Sequence, residues 1–391
     1  MKKIIIISLL VAAAAGAALF FFLNKPKPLE LISRNVPAYA NDTCGGKNRA
    51  SKANNANYED MWRSCKKPLK KRPAWLAYDL SKVKPGKREE LLIVWYNEWT
   101  SPYDHTLITA IENPGYNNPG AYAIEVNAAA GGKLPKKGWK KALEVKGNTF
   151  HSRQHLIEFE GYNWVRMTVT KSDGTKDNFG IAVNMDIYGA KGNTDDNFIF
   201  YGDSITQMAM GHHAMKCAAG YGIFSELIKS RAGVFPVQEN GGTGYMKSSD
   251  GAKHIKKWLA MFPGKYVGLS YGTNDAWSCM DPKEFHDNYE IMVKAVLDAG
   301  KIPIVPVSIP WSSKIKEIQI CGVQLNESLA RVINRHPEII KGPDYRKLYK
   351  DYPSLLSEDG VHPSWPEGLF AYRKAMADVV VKKIYKCSNV Q

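Results

Sequence analysis

The 391-residue chain has no Cys-x-x-Cys pair, no phosphate-binding loop and no basic-aromatic motif of the nucleic-acid-binding kind. The first absence argues against structural zinc and thioredoxin chemistry, and the other two leave nucleotides and nucleic acid without a recognisable motif. Acid is scarce relative to base: 38 Asp and Glu against 53 Lys and Arg leave a net charge of +15. A field of that sign attracts polyanions in general, and the lysines are spread through both halves of the chain. At this length two domains are expected, each burying its own core.

Cysteine is also sparse, with six residues at 44, 65, 217, 279, 321 and 387. An even number without metal spacing allows disulfides in an exported protein, and buried free thiols are the competing reading. Cys44 with Cys65, and Cys279 with Cys321, are the pairs that closeness in the chain suggests.

What is present begins with a targeting signal. Met1-Lys2-Lys3 precedes an uncharged apolar run at residues 4–23. Twenty such residues rise about 30 Å as a helix, enough to cross a bilayer. The run is long for a secretory h-region, and the small residues Ala38-Tyr39-Ala40 lie far beyond it. An uncleaved membrane anchor is therefore favoured slightly over a cleaved signal across residues 1–24, and either reading exports the chain. Residues 25–34, opening with Lys25-Pro26-Lys27-Pro28, read as an extended linker.

Residues 35–192 show little helical periodicity. Runs rich in β-branched and aromatic residues at 74–80, 90–96, 121–126, 155–159, 164–169 and 180–187 are separated by Pro-Gly and Asp-Gly turn signals. That pattern predicts an all-β sandwich or jelly roll. It resembles the sugar-binding-like jelly rolls attached to carbohydrate esterases. Trp75, Trp95, Tyr96, Trp99, Tyr103 and Trp164 are the aromatics through which such a module would stack on pyranose rings, with core packing as the competing role. Trp99, past a strand end, is the most pointed of them.

From residue 193 to 391 strand-like and helix-like runs alternate, which predicts a three-layer α/β domain around a parallel sheet with ligands at the carboxyl ends of its strands. Four polar blocks fall at those ends. Gly202-Asp203-Ser204 follows the apolar run 198–201, and Gly241-Gly-Thr-Gly244 follows the second strand. Gly272-Thr-Asn274-Asp275 follows the third, and Asp359-Gly-Val-His362 precedes the last helix. Each block alone reads as an ordinary turn, loop or cap. Together they supply a hydroxyl, an imidazole, a carboxylate and amide donors, the set that acyl transfer through serine requires.

In this order the blocks resemble the SGNH (GDSL-type) hydrolase family, over roughly residues 197–386. The resemblance implies Ser204 as nucleophile, His362 as general base and then acid, and Asp359 as the orienting carboxylate. It implies an oxyanion hole from the Ser204 and Gly244 backbone N–H groups and the Asn274 side chain, with Gly242 as the alternative glycine donor. Asp203 and Asp275 are expected to bond loop backbone. Trp277, Trp365 and His212 are candidate pocket residues, each with core packing or, for His212, an approach to metal as its alternative. No cofactor or metal is implied. The expected substrate is an O-acylated, above all O-acetylated, polysaccharide. A lipase or thioesterase, a cell-envelope O-acetyltransferase and a non-catalytic binding protein are the alternatives, and residues 205–239 offer no extended apolar lid for the first of these.

Overall fold

The computed structural model describes residues 25–58, 60–97, 118–148, 150–172, 180–212 and 221–387. The segment at residues 4–23, together with Trp99, Tyr103, His213 and Cys217, lies outside them. Among the described residues no helix is long and apolar enough to cross a membrane.

The N-terminal half is built from β1 (Glu30–Leu31), β2 (Ala38–Ala40), β3 (Trp62–Arg63), β4 (Ala74–Asp79), β5 (Glu90–Tyr96), β6 (Pro119–Asn127), β7 (Lys140–Val145), β8 (Ser152–Glu158), β9 (Trp164–Ser172) and β10 (Ala182–Gly189). One sheet runs β1-β10-β5-β8 with β3 also on β10, and the other runs β2-β4-β9-β6-β7; every pairing within them is antiparallel. Period-two alternation sends Leu76 and Tyr78 of β4 and Met167 and Val169 of β9 inward against Leu91, Ile93 and Trp95 of β5 and Ile187 of β10. Each such fully buried aliphatic contributes about 1.5–3 kcal/mol relative to exposure. Leu92, Val94 and Tyr96 on the opposite face of β5 are buried too, packed with Tyr188 against Ile223 and Val237 of the second half. This double burial explains why β5 reads as a continuous apolar run rather than an alternating one.

The expected linker is shorter than residues 25–34. Glu30 and Leu31 pair with Gly189 and Tyr188, and Leu29 and Ile32 are buried, so the sandwich begins there. Of the aromatics expected to hold sugar, Trp95, Tyr96 and Trp164 are buried, whereas Trp75 is half-buried.

In the second half, β11 (Asn197–Gly202), β12 (Val237–Gly242), β13 (Tyr266–Ser270), β14 (Ile302–Val305) and β15 (Ile340–Lys341) form a parallel sheet of order β12-β11-β13-β14-β15. Its helices are α1 (Ser204–Met210), α2 (Phe224–Ala232), α3 (Ser248–Leu259), α4 (Thr273–Trp277), α5 (Pro282–Asp298), α6 (Lys316–Arg335), α7 (Tyr345–Asp351) and α8 (Glu367–Lys383). Ile199 and Tyr201 of β11 face a layer holding Ile255 and Trp258 of α3, Met292 of α5 and Leu325 of α6. Phe198 and Phe200 face the opposite layer of α1, α2 and α8. The chain leaves β11 toward β12 on one side and returns to β13 on the other, so β11 is the switch point at which open α/β sheets place their ligands.

Both suggested disulfides are present, Cys44–Cys65 and Cys279–Cys321, with sequence separations of 21 and 42 residues. Loops of that length lose about 3–4 kcal/mol of unfolded-state entropy on closure. Cys387 is a half-buried free thiol.

Candidate active site

Ser204 is delivered by the abrupt end of β11. Gly202 is hydrogen-bond neighbour to both flanking strands, in register with Gly242 and Ser270. A β-carbon there would fall 2.2 Å from Thr206 Oγ1 and 2.5 Å from the Ser270 carbonyl oxygen, so no larger residue fits. Asp203 then caps α1, its Oδ1 accepting from the Ile205 N–H at 3.0 Å. Ser204 is the first residue of that helix and is half-buried.

The Ser204 hydroxyl lies 2.8 Å from His362 Nε2, across 158 residues of sequence. On the other side of the ring, His362 Nδ1 lies 2.6 Å from Asp359 Oδ2. Asp359 Oδ1 accepts from Ser357 Oγ at 2.7 Å, the Val361 N–H at 2.8 Å and the His362 N–H at 2.9 Å. Gly360, at φ 71°, supplies the left-handed turn that folds acid and imidazole onto each other. Partial burial pushes the Asp359 carboxyl up, but hydrogen bonds from His362, the Val361 N–H and Ser357 outweigh it and hold the group at about 2. An ionised carboxylate only accepts, so Nδ1 carries the ring proton and Nε2 is left to accept from the Ser204 hydroxyl.

The expected donors gather at the same strand ends. The Gly242 N–H is taken by Asn240 Oδ1 at 2.9 Å, inside the buried end of β12. Gly244 is the loop glycine beside Ser204, and its N–H donates to Gln207 Oε1 at 2.9 Å. Asn274 sits on α4 and donates one amide hydrogen to the Met246 carbonyl at 2.9 Å. Asp275 accepts from the Ser248 N–H at 2.9 Å and the Ser248 hydroxyl at 2.6 Å, bonding neighbouring backbone as expected.

Trp277 and Trp365 are each 48% exposed, which excludes them from the core. His212, in contrast, is buried at the junction of the two halves, stacked on Tyr96 at 4.2 Å between ring centroids and 5.3 Å from Tyr58. The structure therefore places it against tyrosines of the sandwich rather than among the pocket residues, because Gly211 turns the chain out of α1 just before it.

Four further contributors are not read from the sequence. Gln207 touches the glycine block only through the fold, whereas Ser357 reaches the Asp359 carboxylate from two residues upstream. Arg373 of α8 is fully buried and donates to the carbonyls of Ala209 at 2.6 Å, Gly211 at 2.9 Å and Gly222 at 2.8 Å, tying down the end of α1. Tyr245 directly follows Gly244 at φ 66° and is 54% exposed, a conformation that a non-glycine residue adopts only where its surroundings impose it. Its position after a glycine block was the one available clue.

Burial pushes Asp203 up to about 6, despite the Ile205 N–H and the nearby imidazole, both of which pull it down. A folded value above the ordinary one means that the folded chain holds a proton the unfolded chain has released. Stability is then lost as pH rises from about 4 to about 6, on the order of 2–3 kcal/mol for a displacement of that size. Asp203→Asn keeps an oxygen to cap α1, and its thermal midpoint is expected to fall less over that range than the wild type's. Equal slopes in pH-dependent thermal denaturation would remove Asp203 from this account.

The sequence matches no family model and no curated protein. Solved structures are similar over parts of the chain. An acetylxylan esterase from Geobacillus stearothermophilus is 18% identical over 48% of this chain and 93% of its own, with a TM-score of 0.37. A lipolytic G-D-S-L family protein from Veillonella parvula is 19% identical over 48% of this chain and 96% of its own, with a TM-score of 0.37. A chitosan-binding module of a chitosanase/glucanase from Paenibacillus sp. IK-5 is 16% identical over 41% of this chain and 99% of its own, with a TM-score of 0.30.

Proposed function

We propose that this chain is an SGNH-type serine esterase that removes O-acyl groups, above all O-acetyl groups, from a polysaccharide outside the cytoplasm. The observation that carries the reading is the unbroken hydrogen-bond path Ser204–His362–Asp359 at the carboxyl end of the switch-point strand.

In the first step His362 Nε2 takes the Ser204 hydroxyl proton as Oγ bonds to the ester carbon. The tetrahedral oxyanion is held by the Ser204 and Gly244 N–H groups and the second amide hydrogen of Asn274. The C–O bond to the sugar breaks, and the sugar hydroxyl leaves with the proton from Nε2. Water then attacks the acyl-enzyme, gives its proton to His362, and releases the carboxylic acid with Ser204 restored. Asp359 stays ionised throughout and stabilises the imidazolium.

The polymer reading is supported by three exposed aromatics, Tyr245, Trp277 and Trp365, each close in sequence to one of the polar blocks. Rings of this kind stack on the apolar faces of pyranoses, whereas a long acyl chain needs a deep groove. Export is supported by the two disulfides and the apolar run at residues 4–23.

A p-nitrophenyl ester series tests the acyl preference. Acetate is expected to exceed octanoate in kcat/KM by at least about a hundredfold, as a pocket closed to added methylenes requires. Preference for C8 or longer chains would overturn the polysaccharide reading in favour of a lipase. Acetate released to water, compared with acetate transferred to an added glycan, separates esterase from transferase.

A further inference from the structure

We propose that Gln207 is a resident plug of the oxyanion hole: its side-chain carbonyl occupies the Gly244 N–H in the resting site and is displaced by the carbonyl oxygen of the substrate. This rests on the serine-esterase reading above.

The Gly244 N–H has one hydrogen, and it already points at Gln207 Oε1, 2.9 Å away. The acceptor is itself an amide C=O, chemically close to the ester oxygen that the same hydrogen would hold. A β-carbon built on Gly244 would lie 3.6 Å from Gln207 Oε1 and 4.0 Å from the Ser204 β-carbon, so loop, amide and nucleophile meet at one point. The meeting follows from helix geometry. Gln207 is three residues after Ser204 on α1, hence on the same face, and side chains on a helix lean toward its N-terminus.

The start of the glycine segment is held without this side chain. Asn240 does that through the main chain, with Nδ2 donating to the Gln207 backbone carbonyl at 2.9 Å and Oδ1 accepting from the Gly242 N–H at 2.9 Å. The Asn240 carbonyl is in turn bonded by His151 of the sandwich at 3.1 Å. Main chain and side chain of Gln207 therefore do separate things: the first ties α1 to β12, and the second fills the donor. Gln207 is only half-buried, so its amide lies within reach of water when the substrate arrives. A filled donor leaves no unsatisfied N–H at rest, and it favours acyl groups small and polar enough to compete with an amide at close quarters.

The test uses the full chain with Gln207→Met, which keeps length without the carbonyl, Gln207→Ala as a second removal, and Gln207→Glu, which strengthens the acceptor. Two rates are read, kcat/KM for p-nitrophenyl acetate and the bimolecular rate at which diethyl p-nitrophenyl phosphate phosphorylates Ser204, forming the Oγ–P bond and expelling p-nitrophenolate. Without the plug both rates are expected to rise about fivefold, the worth of one neutral hydrogen bond. Gln207→Glu is expected to lose more than about tenfold where its carboxylate is ionised, because charged acceptors bond roughly twice as strongly, and to recover toward acid pH. Unchanged or slower rates in both Met and Ala variants, at unaltered thermal midpoints, would overturn the plug while Ser204 remains labelled. Absence of phosphate on Ser204 in the wild type would overturn the esterase reading, and the plug with it.

Discussion

Ser204→Ala is expected to lower p-nitrophenyl acetate hydrolysis by about 10⁴- to 10⁶-fold while the thermal midpoint stays within about 2 °C of the wild type. The activity falls because the hydroxyl bonded to His362 Nε2 is lost, and what remains is catalysis by the donors and by binding alone. The fold survives for three separate reasons. Ser204 is only half-buried, its cap bond is made by Asp203 rather than by itself, and alanine is the best helix former at the first position of α1. Circular dichroism and activity on the same preparation check both halves of the expectation. Full activity in the variant would end the proposal that Ser204 is the nucleophile, whatever the surrounding geometry.

How much of this was legible beforehand depends on the range of the interactions involved. β5 matches the predicted run at 90–96, and β11 extends the run at 198–201 by one residue at each end, because buried strands carry dense apolar sequence. β7 escaped notice because Lys140–Val145 is an edge strand whose lysines face water, so it carries no apolar signature. Gly322 of α6 interrupts the apolar pattern, and a β-carbon there would press on Arg346 at 3.2 Å and Ile309 at 3.3 Å. The site divides in the same way. Ser204, Asp359, His362 and Asn274 each sit in a short block that can be read locally. Gln207 and Arg373 act through partners 37 and 164 residues away, and no local pattern records such a pairing. His212 shows the converse error: closeness to the nucleophile in sequence suggested the pocket, but the turn at Gly211 carries it into the domain junction.

The second large effect concerns the base and its carboxylate, and the three substitutions that probe them separate their roles. His362→Ala is expected to lose activity to nearly the extent of Ser204→Ala, because it removes the imidazole bonded to the Ser204 hydroxyl. Asp359→Asn is expected to lose about 10⁴-fold, since an amide nitrogen facing Nδ1 favours the tautomer that protonates Nε2 and blocks it as a base. Asp359→Ala is expected to lose less, because it removes orientation and charge without imposing the wrong tautomer. The pH dependence follows from the carboxylate's environment. Held at about 2 by His362, Val361 and Ser357 against the opposing effect of burial, Asp359 contributes stability that is present above the ordinary carboxylate value and lost only as pH falls toward 2. No inflection in kcat/KM above pH 3 should therefore belong to it. Ser357→Ala deletes one of the donors to Oδ1 and moves that loss of stability to higher pH. An ordering in which the Asp359→Ala variant is slower than Asp359→Asn would show that charge rather than tautomer control is what this carboxylate supplies.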